Sequence, residues 1–236
     1  VWGPGGTEAL REVLPGQEGA LHALVRVASR PVIRNAADKN MTVGLIAGIE
    51  TASTPRELVG SALSPPVTAA LKVSTIVLLS GRSVFRTSPI QNTGPLPPTV
   101  GEKTTYVIVW EMRNFTNDIE GAELRASLPP NVRWEDAVSP RDADIRFDSA
   151  SGEVRWRMGR IAFGTGILTP ARTGAFQVSL IPALTDVGRS LALTGDASFT
   201  GRDGFTGDEI QTKMSGVDTE MPEDPLVKTG EGVVKQ

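Results

Sequence analysis

Apolar and polar residues alternate with a period of two along most of this chain, and the 3.6-residue period of an amphipathic helix is nearly absent. Met41, Val43, Leu45, Ala47 and Ile49 fall on every second position, as do Leu191, Leu193, Gly195, Ala197 and Phe199. This pattern predicts strands at 21 to 27, 41 to 50, 70 to 80, 104 to 112, 121 to 128, 144 to 148, 153 to 157, 173 to 181, 190 to 199 and 209 to 215. Turn-forming residues fill the gaps: Asn35 to Asn40, Pro129-Pro130-Asn131, Ser151-Gly152, Gly164-Thr165-Gly166 and Asp203-Gly204. Many short strands separated by such turns predict an all-β sandwich. Only Glu8 to Leu14 and Pro55 to Leu63 read as helical, and both are short.

The strand pattern echoes itself. Trp2 corresponds to Trp156, the run from Ala23 to Val27 to Phe176–Leu180, and the run from Met41 to Ile49 to Leu191–Phe199, which sets a repeat of about 150 residues. The first copy begins midway, so the expected organisation is one complete unit preceded by a partial one. Residues 1–66 are expected to be the C-terminal half of a sandwich, with open strand edges unless the missing half is supplied. The boundary is placed at Ser64-Pro65-Pro66, where two prolines interrupt strand pairing, and the complete unit spans 67–220. Within it, Gly94-Pro95-Leu96-Pro97-Pro98 is expected to hold an extended crossover ahead of the strand at Thr104. From Pro222 onward the composition turns to Pro, Glu, Asp, Gly and Lys, so 221–236 is expected to be a flexible tail or linker.

Composition narrows the function classes. Twenty-four basic residues against 27 acidic ones give a net charge of −3, with the signs interspersed and no Lys/Arg cluster, which argues against a nucleic-acid or anionic-membrane surface. Cysteine is absent, so disulfides, Cys-ligated zinc and thiol catalysis are excluded. The longest apolar stretch, Ile76-Val77-Leu78-Leu79, falls far short of the roughly 18 residues of a membrane span. The chain opens with Val1, and any export signal or anchor is expected in sequence outside it.

A resemblance rests on one region. Thr99-Val100-Gly101-Glu102 leads into the aromatic-led strand Thr105-Tyr106-Val107-Ile108-Val109-Trp110-Glu111-Met112-Arg113-Asn114, followed by Ala122-Glu123-Leu124-Arg125-Ala126-Ser127-Leu128-Pro129. Val132-Arg133-Trp134, Ser151 to Trp156 and Gly174 to Val178 continue the order. It resembles the immunoglobulin-like repeats of prokaryotic surface proteins known as domain of unknown function number eleven. The resemblance implies immunoglobulin-like β-sandwich repeats in a cell-surface or secreted protein, acting as structural spacers, with neighbouring repeats as partners and cell-envelope polymers or host ligands as possible ones. An adhesin or carbohydrate-binding module using sandwich-end loops or exposed tryptophans is the alternative. The family has no catalytic residues to transfer. Asn114 matches its strand-ending Asn, whose side chain would hydrogen-bond turn backbone.

His22 is the only histidine and would have to carry any Ser-His-Asp or His-metal arrangement. It reads as a solvent-facing strand residue. Asp142, Asp144 and Asp148, and again Asp203, Asp208 and Glu209, offer oxygen ligands for calcium but not at the spacing of a calcium loop. Lys72, Lys103 and Lys213 are the lysines next to strands that an isopeptide crosslink would need. Gly101-Glu102-Lys103-Thr104 lacks the spacing of a phosphate loop, and Gly201 to Gly207 lacks a βαβ context. Asn40-Met41-Thr42 and Asn114-Phe115-Thr116 match the glycosylation sequon. Trp110, Trp134 and Trp156 are expected in the core rather than on a sugar-binding platform. The sequence therefore assigns no catalytic, cofactor-binding or metal-ligating residue and predicts a non-enzymatic protein without cofactor.

Overall fold

In the computed structural model, the described residues form eleven strands, each antiparallel to its neighbours. The structure describes residues 5–12, 14, 16–22, 24, 26, 31–48 and 65–236. Residues 31–236 form one unit and 1–30 another. In the first, β1 (Thr42–Ala47) and β2 (Val67–Lys72) make a two-stranded ribbon. β3 (Val77–Val84), β4 (Thr104–Asn114), β9 (Arg172–Leu180) and β6 (Val132–Ser139) make a four-stranded sheet in that order. β11 (Glu209–Met214), β10 (Ala197–Asp203), β5 (Ile119–Ser127), β8 (Glu153–Ile161) and β7 (Ile145–Asp148) make a five-stranded sheet. Successive strands from β4 to β10 switch sheets except at the β7–β8 hairpin. The architecture is the expected all-β sandwich.

The alternation seen in the sequence sets the two faces. In β8, Val154, Trp156, Met158 and Ile161 are buried while Arg157 and Arg160 are exposed. The burial alternation changes phase between Met158 and Ile161, where the β5–β8 register shifts on both sides of the Ala122–Gly159 pair and Gly159 takes φ 68°. β4 departs from simple alternation because both of its faces are covered. Tyr106, Ile108, Trp110 and Met112 enter the central core, while Val107 and Val109 join Val84 and Ala175 in a second apolar cluster with Ile90 against it.

Two glycines make room for the central tryptophans. Trp110 pairs across β4 with Gly81 on one side and Gly174 on the other. A Cβ on Gly174 would stand 2.9 Å from the Trp156 indole and from Ile145 Cδ1. Trp156 of the opposite sheet therefore occupies space that only a glycine leaves free. Trp110 also meets the Phe176 ring edge-on at 4.8 Å.

The strand readings at 41 to 50, 104 to 112, 121 to 128, 144 to 148, 153 to 157, 173 to 181 and 209 to 215 correspond to β1, β4, β5, β7, β8, β9 and β11. The reading 70 to 80 spans two strands, β2 and β3, separated at 73–76 where Thr75 turns inward to bind Asp203 and Asn114. The reading 190 to 199 contains only the start of β10. Its first part instead hydrogen-bonds irregularly to Val217 and Ser127. Glu8 to Leu14 holds a 3-10 turn at Glu8–Leu10, and Leu21, His22, Leu24 and Arg26 lie in no strand. Trp2, the remainder of 21 to 27 and Pro55 to Leu63 lie outside the described residues.

The C-terminal segment requires a correction. Composition reads 221–236 as a flexible tail, but Met221 and Val234 are each 1% exposed and Asp224 is fully enclosed. Val100 N–H donates to Lys235 O and Lys235 N–H to Pro98 O, which ties the segment to the loop before β4. A few well-spaced apolar residues anchor the segment, and its polar side chains find backbone partners. The expected boundary at 66/67 likewise falls between β1 and β2, which pair over six residues.

Candidate functional site

A cluster of buried polar residues lies at the end of the sandwich where β4 turns into β5. Asn114, the last residue of β4, is fully buried. Its Nδ2 donates to Asn117 O at 2.7 Å and Ala162 O at 3.0 Å, and its Oδ1 accepts from Thr75 Oγ1 at 2.8 Å. The expected role of strand-end Asn, bonding turn backbone, is what the geometry shows, and burial closes the sequon at Asn114 to any glycosyl donor.

Asp203, the last residue of β10, completes the cluster. Its Oδ2 accepts from Thr75 N–H at 2.7 Å and Asn117 Nδ2 at 2.8 Å, and its Oδ1 from Phe205 N–H at 2.8 Å and Thr206 N–H at 3.0 Å. Burial alone would raise its pKa. The hydrogen bonds from Asn117, Thr206, Thr75 and Phe205 outweigh that effect and hold the carboxyl below the usual range. Four donors on two oxygens give an anchored turn, with the lone pairs directed at protein rather than at a ligand.

Asp118 forms the outer layer of the same end. It accepts from Lys39 Nζ at 3.0 Å, Arg160 Nη2 at 2.6 Å and Phe163 N–H at 2.9 Å. Partial burial works against ionisation, and the bonds from Arg160, Phe163 and Lys39 prevail, lowering the pKa to about 2. Lys39 Nζ also lies 5.2 Å from the Phe163 ring centre, a cation–π distance. Residues from 39, 75, 114–118, 160–163 and 203–206 are thus fixed in one network.

The other sequence candidates are dispersed. Asp208 and Glu209 are exposed, and Asp208 accepts from Ser74 Oγ. Asp142 is exposed, Asp144 pairs with Arg146 at 2.7 Å, and Asp148 caps Ala150 N–H. Lys72 Nζ donates to Phe205 O at 2.8 Å and sits 4.7 Å from that ring's centre, Lys103 pairs with Glu135 at 2.7 Å, and Lys213 is exposed. His22 is exposed, within 1–30. Gly101 and the stretch 204–207 form turns.

Trp110 and Trp156 are 1% exposed, as expected for core residues. Trp134 is half-buried and stacks on Phe147 at 6.1 Å with nearly parallel planes, closing the side of the sandwich between the edge strands β6 and β7. None of the three indoles forms an open platform.

Among the described residues are two shallow depressions. One, of about 330 Å³, lies at β7 and β8 among Asp144, Arg146, Asp148, Arg155 and Arg157. The other, of about 370 Å³, lies on the outer face of the four-stranded sheet over Val84, Val109 and Ala175, rimmed by Arg82, Thr87 and Ser139. Beside the first, Arg125, Arg155 and Arg146 stand opposite one another in register across β5, β8 and β7, the last two lining the depression. Each pairs with a carboxylate two residues earlier in the chain: Glu123, Glu153 and, just ahead of β7, Asp144 respectively.

The residue that sequence reasoning missed is Asp224. Its Oδ2 accepts three consecutive backbone N–H groups, from Phe85 at 2.8 Å, Arg86 at 2.7 Å and Thr87 at 3.2 Å, and its Oδ1 accepts from Leu226 N–H at 3.2 Å. A Pro-Glu-Asp-Pro stretch signals exposure, and only the fold brings it to the end of β3.

No family model matches the chain, so the resemblance to the surface repeats stands on its residues alone. No curated protein matches either. Among solved structures, a form of the major pilin subunit of Bacillus cereus is similar at 8% identity and a TM-score of 0.37, covering 75% of this chain and 48% of that one. The full-length major pilin of Corynebacterium diphtheriae is similar at 11% identity and a TM-score of 0.35, covering 61% and 35%. The chain therefore spans less than half the length of these structures.

Proposed function

We propose that this protein is a non-enzymatic structural module of a larger cell-surface or secreted prokaryotic protein, acting as a spacer among neighbouring repeats. One observation carries the reading: the buried carboxylates and amides are spent on holding chain segments together. Asp203, Asn114 and Asp224 between them fix the β2–β3 crossing, the β4–β5 turn, the β10–β11 hairpin and the C-terminal segment to the sandwich. Such cross-links between distant segments suit a module that must resist being pulled open, because backbone and side-chain bonds have to break together. The surface-repeat resemblance between Pro97 and Trp134 supports the cell-envelope setting.

The complete unit in this reading takes in the β1–β2 ribbon, the sandwich and the C-terminal segment. The adhesive alternative loses its aromatic platform because Trp110 and Trp156 are inside. Protease shaving of intact cells, followed by peptide mass spectrometry, tests the location: peptides from this chain released without lysis are expected. Their recovery only after lysis would refute a surface role.

A further inference from the structure

We infer that Asn40 is a glycan acceptor, whose side-chain amide takes an oligosaccharide from a polyprenyl-pyrophosphate donor. Two segments of the chain carry the Asn-x-Ser/Thr order that an oligosaccharyl transferase requires. The fold separates them. In Asn114-Phe115-Thr116 the asparagine and the threonine are both 0% exposed, and the Asn114 amide is held by Asn117 O and Ala162 O. In Asn40-Met41-Thr42 both are exposed, and neither side chain is hydrogen-bonded to a described residue. Asn40 has φ 55°, in the left-handed region that asparagine tolerates better than most residues. Its N–H donates to Thr116 O at 3.1 Å, and Val73 N–H donates to Met41 O at 2.9 Å. The backbone therefore fixes this turn to the end of the sandwich while the two side chains that a transferase reads stay free.

Charge separates the two sequons a second time. Asp38 stands two positions before Asn40, whereas the apolar Met112 stands two before Asn114. Bacterial oligosaccharyl transferases take acceptors with an acidic residue at that place, where a cationic group of the enzyme pairs with it. Asp38 is partly exposed, and its Oδ2 accepts from Arg34 N–H at 2.7 Å and Asn35 N–H at 3.1 Å, which fixes the carboxylate beside the acceptor. Asn35, Ala36 and Ala37 on the same loop are exposed, so the approach to the site is open. In the transfer, Asn40 Nδ2 bonds to the anomeric carbon of the donor sugar. The bond from that carbon to the pyrophosphate oxygen breaks, its electron pair leaves on the polyprenyl pyrophosphate, and one amide proton passes to a base of the transferase. Nothing is oxidised or reduced. Enzyme and donor act on exported chains, so this inference rests on the surface or secreted reading.

Glycopeptide mass spectrometry tests it in two settings. The whole folded chain, incubated with a bacterial oligosaccharyl transferase and an undecaprenyl-pyrophosphate oligosaccharide, should gain one glycan, on Asn40. Asn40→Gln and Thr42→Val should reduce transfer to background. Asp38→Asn keeps an acceptor for Arg34 and Asn35 N–H but loses the charge, and should also fall to background, while Asp38→Glu should remain modified. Transfer to the parent no greater than to Asn40→Gln, or a glycan found on Asn114 instead, overturns the proposal. Asp38→Asn chains modified as fully as the parent overturn the role of the carboxylate. In the second setting, the peptide bearing Asn40 that is shaved from intact cells should carry the added sugar mass. Its recovery bare would overturn the inference and leave the surface location standing. Release of this chain's peptides only after lysis, with Asn40 bare, would sink the location and the glycan together.

Discussion

Replacing Asp224 by alanine should loosen the whole sandwich, although the residue lies in a stretch whose composition suggests a linker. The carboxylate is 1% exposed and receives four backbone N–H groups, three of them from the consecutive residues Phe85, Arg86 and Thr87 that end β3. Hydrogen bonds to a charged group contribute about 1.5–3 kcal/mol each, and a buried donor left unpaired costs about 1–3 kcal/mol. Arg86 and Thr87 are exposed, so water recovers part of that loss. A net cost of about 3–4 kcal/mol remains. For a unit of this size that corresponds to a fall in melting temperature of roughly 10 °C. Asp224→Asn keeps one acceptor oxygen and should cost about half as much, since its amide can no longer accept from the remaining donor.

Urea denaturation followed by tryptophan fluorescence measures both, and trypsin cleavage after Lys228 should accelerate in the alanine variant as the C-terminal segment detaches. The segment also carries Met221 and Val234 into the core, so a chain ending at residue 220 should lose more than Asp224→Ala. An Asp224→Ala midpoint within about 0.5 kcal/mol of the parent, the range of an ordinary surface substitution, with unchanged proteolysis, would refute the idea that this carboxylate clamps the fold.

Asn114→Ala removes the three donor contacts and the acceptor that join β4 to the 117 and 162 backbone and to Thr75, and chemical denaturation should show a loss of about 3 kcal/mol. Gly174→Ala places a methyl 2.9 Å from the Trp156 ring, so a loss of about 1–3 kcal/mol with a changed near-ultraviolet tryptophan signal is expected. Asp118, Asp203 and Asp224 all have folded-state pKa values below the usual value of about 3.9, so each contributes stability that is complete above that value and is lost as pH falls through its lowered pKa. For Asp118 the window runs from about 4 down to about 2. An acid titration should therefore leave the melting temperature flat above about pH 5 and lower it steeply below about pH 4, and an Asp118→Asn variant should show a shallower fall.

Strands with uninterrupted alternation were legible from sequence because the two sheets bury one face each. Val154 to Met158 needed nothing more, whereas Tyr106 to Met112, covered on both faces, was legible from its run of β-branched and aromatic residues. β6 escaped because three residues, Glu135, Asp136 and Ala137, oppose one on β9, with Asp136 at φ 54°. That bulge breaks the period that marks a strand, yet it is what directs Glu135 to Lys103 and Ser179. Asn114 could be found because its partners lie in the adjoining turn. Asp203 was legible as a turn residue, but its bond to Thr75 spans 128 positions and no local pattern announces it.

The C-terminal segment shows why composition and burial part company at the same residues. A chain stretch orders when its few apolar groups reach a core and its polar groups find partners, and average hydrophobicity registers neither condition. Here Met221 and Val234 stand thirteen residues apart in sequence, too far for any periodicity to connect them. Between them, Asp224 satisfies the end of β3, Glu231 pairs with Arg86 at 3.2 Å, and the Gly232 carbonyl accepts from Thr219 Oγ1 at 2.6 Å. The acidic and glycine-rich composition that signals disorder is thus the material of the attachment. Acidic side chains accept the N–H groups that a strand end leaves free, and at Gly232 the backbone lies against Thr219 with no space for a Cβ.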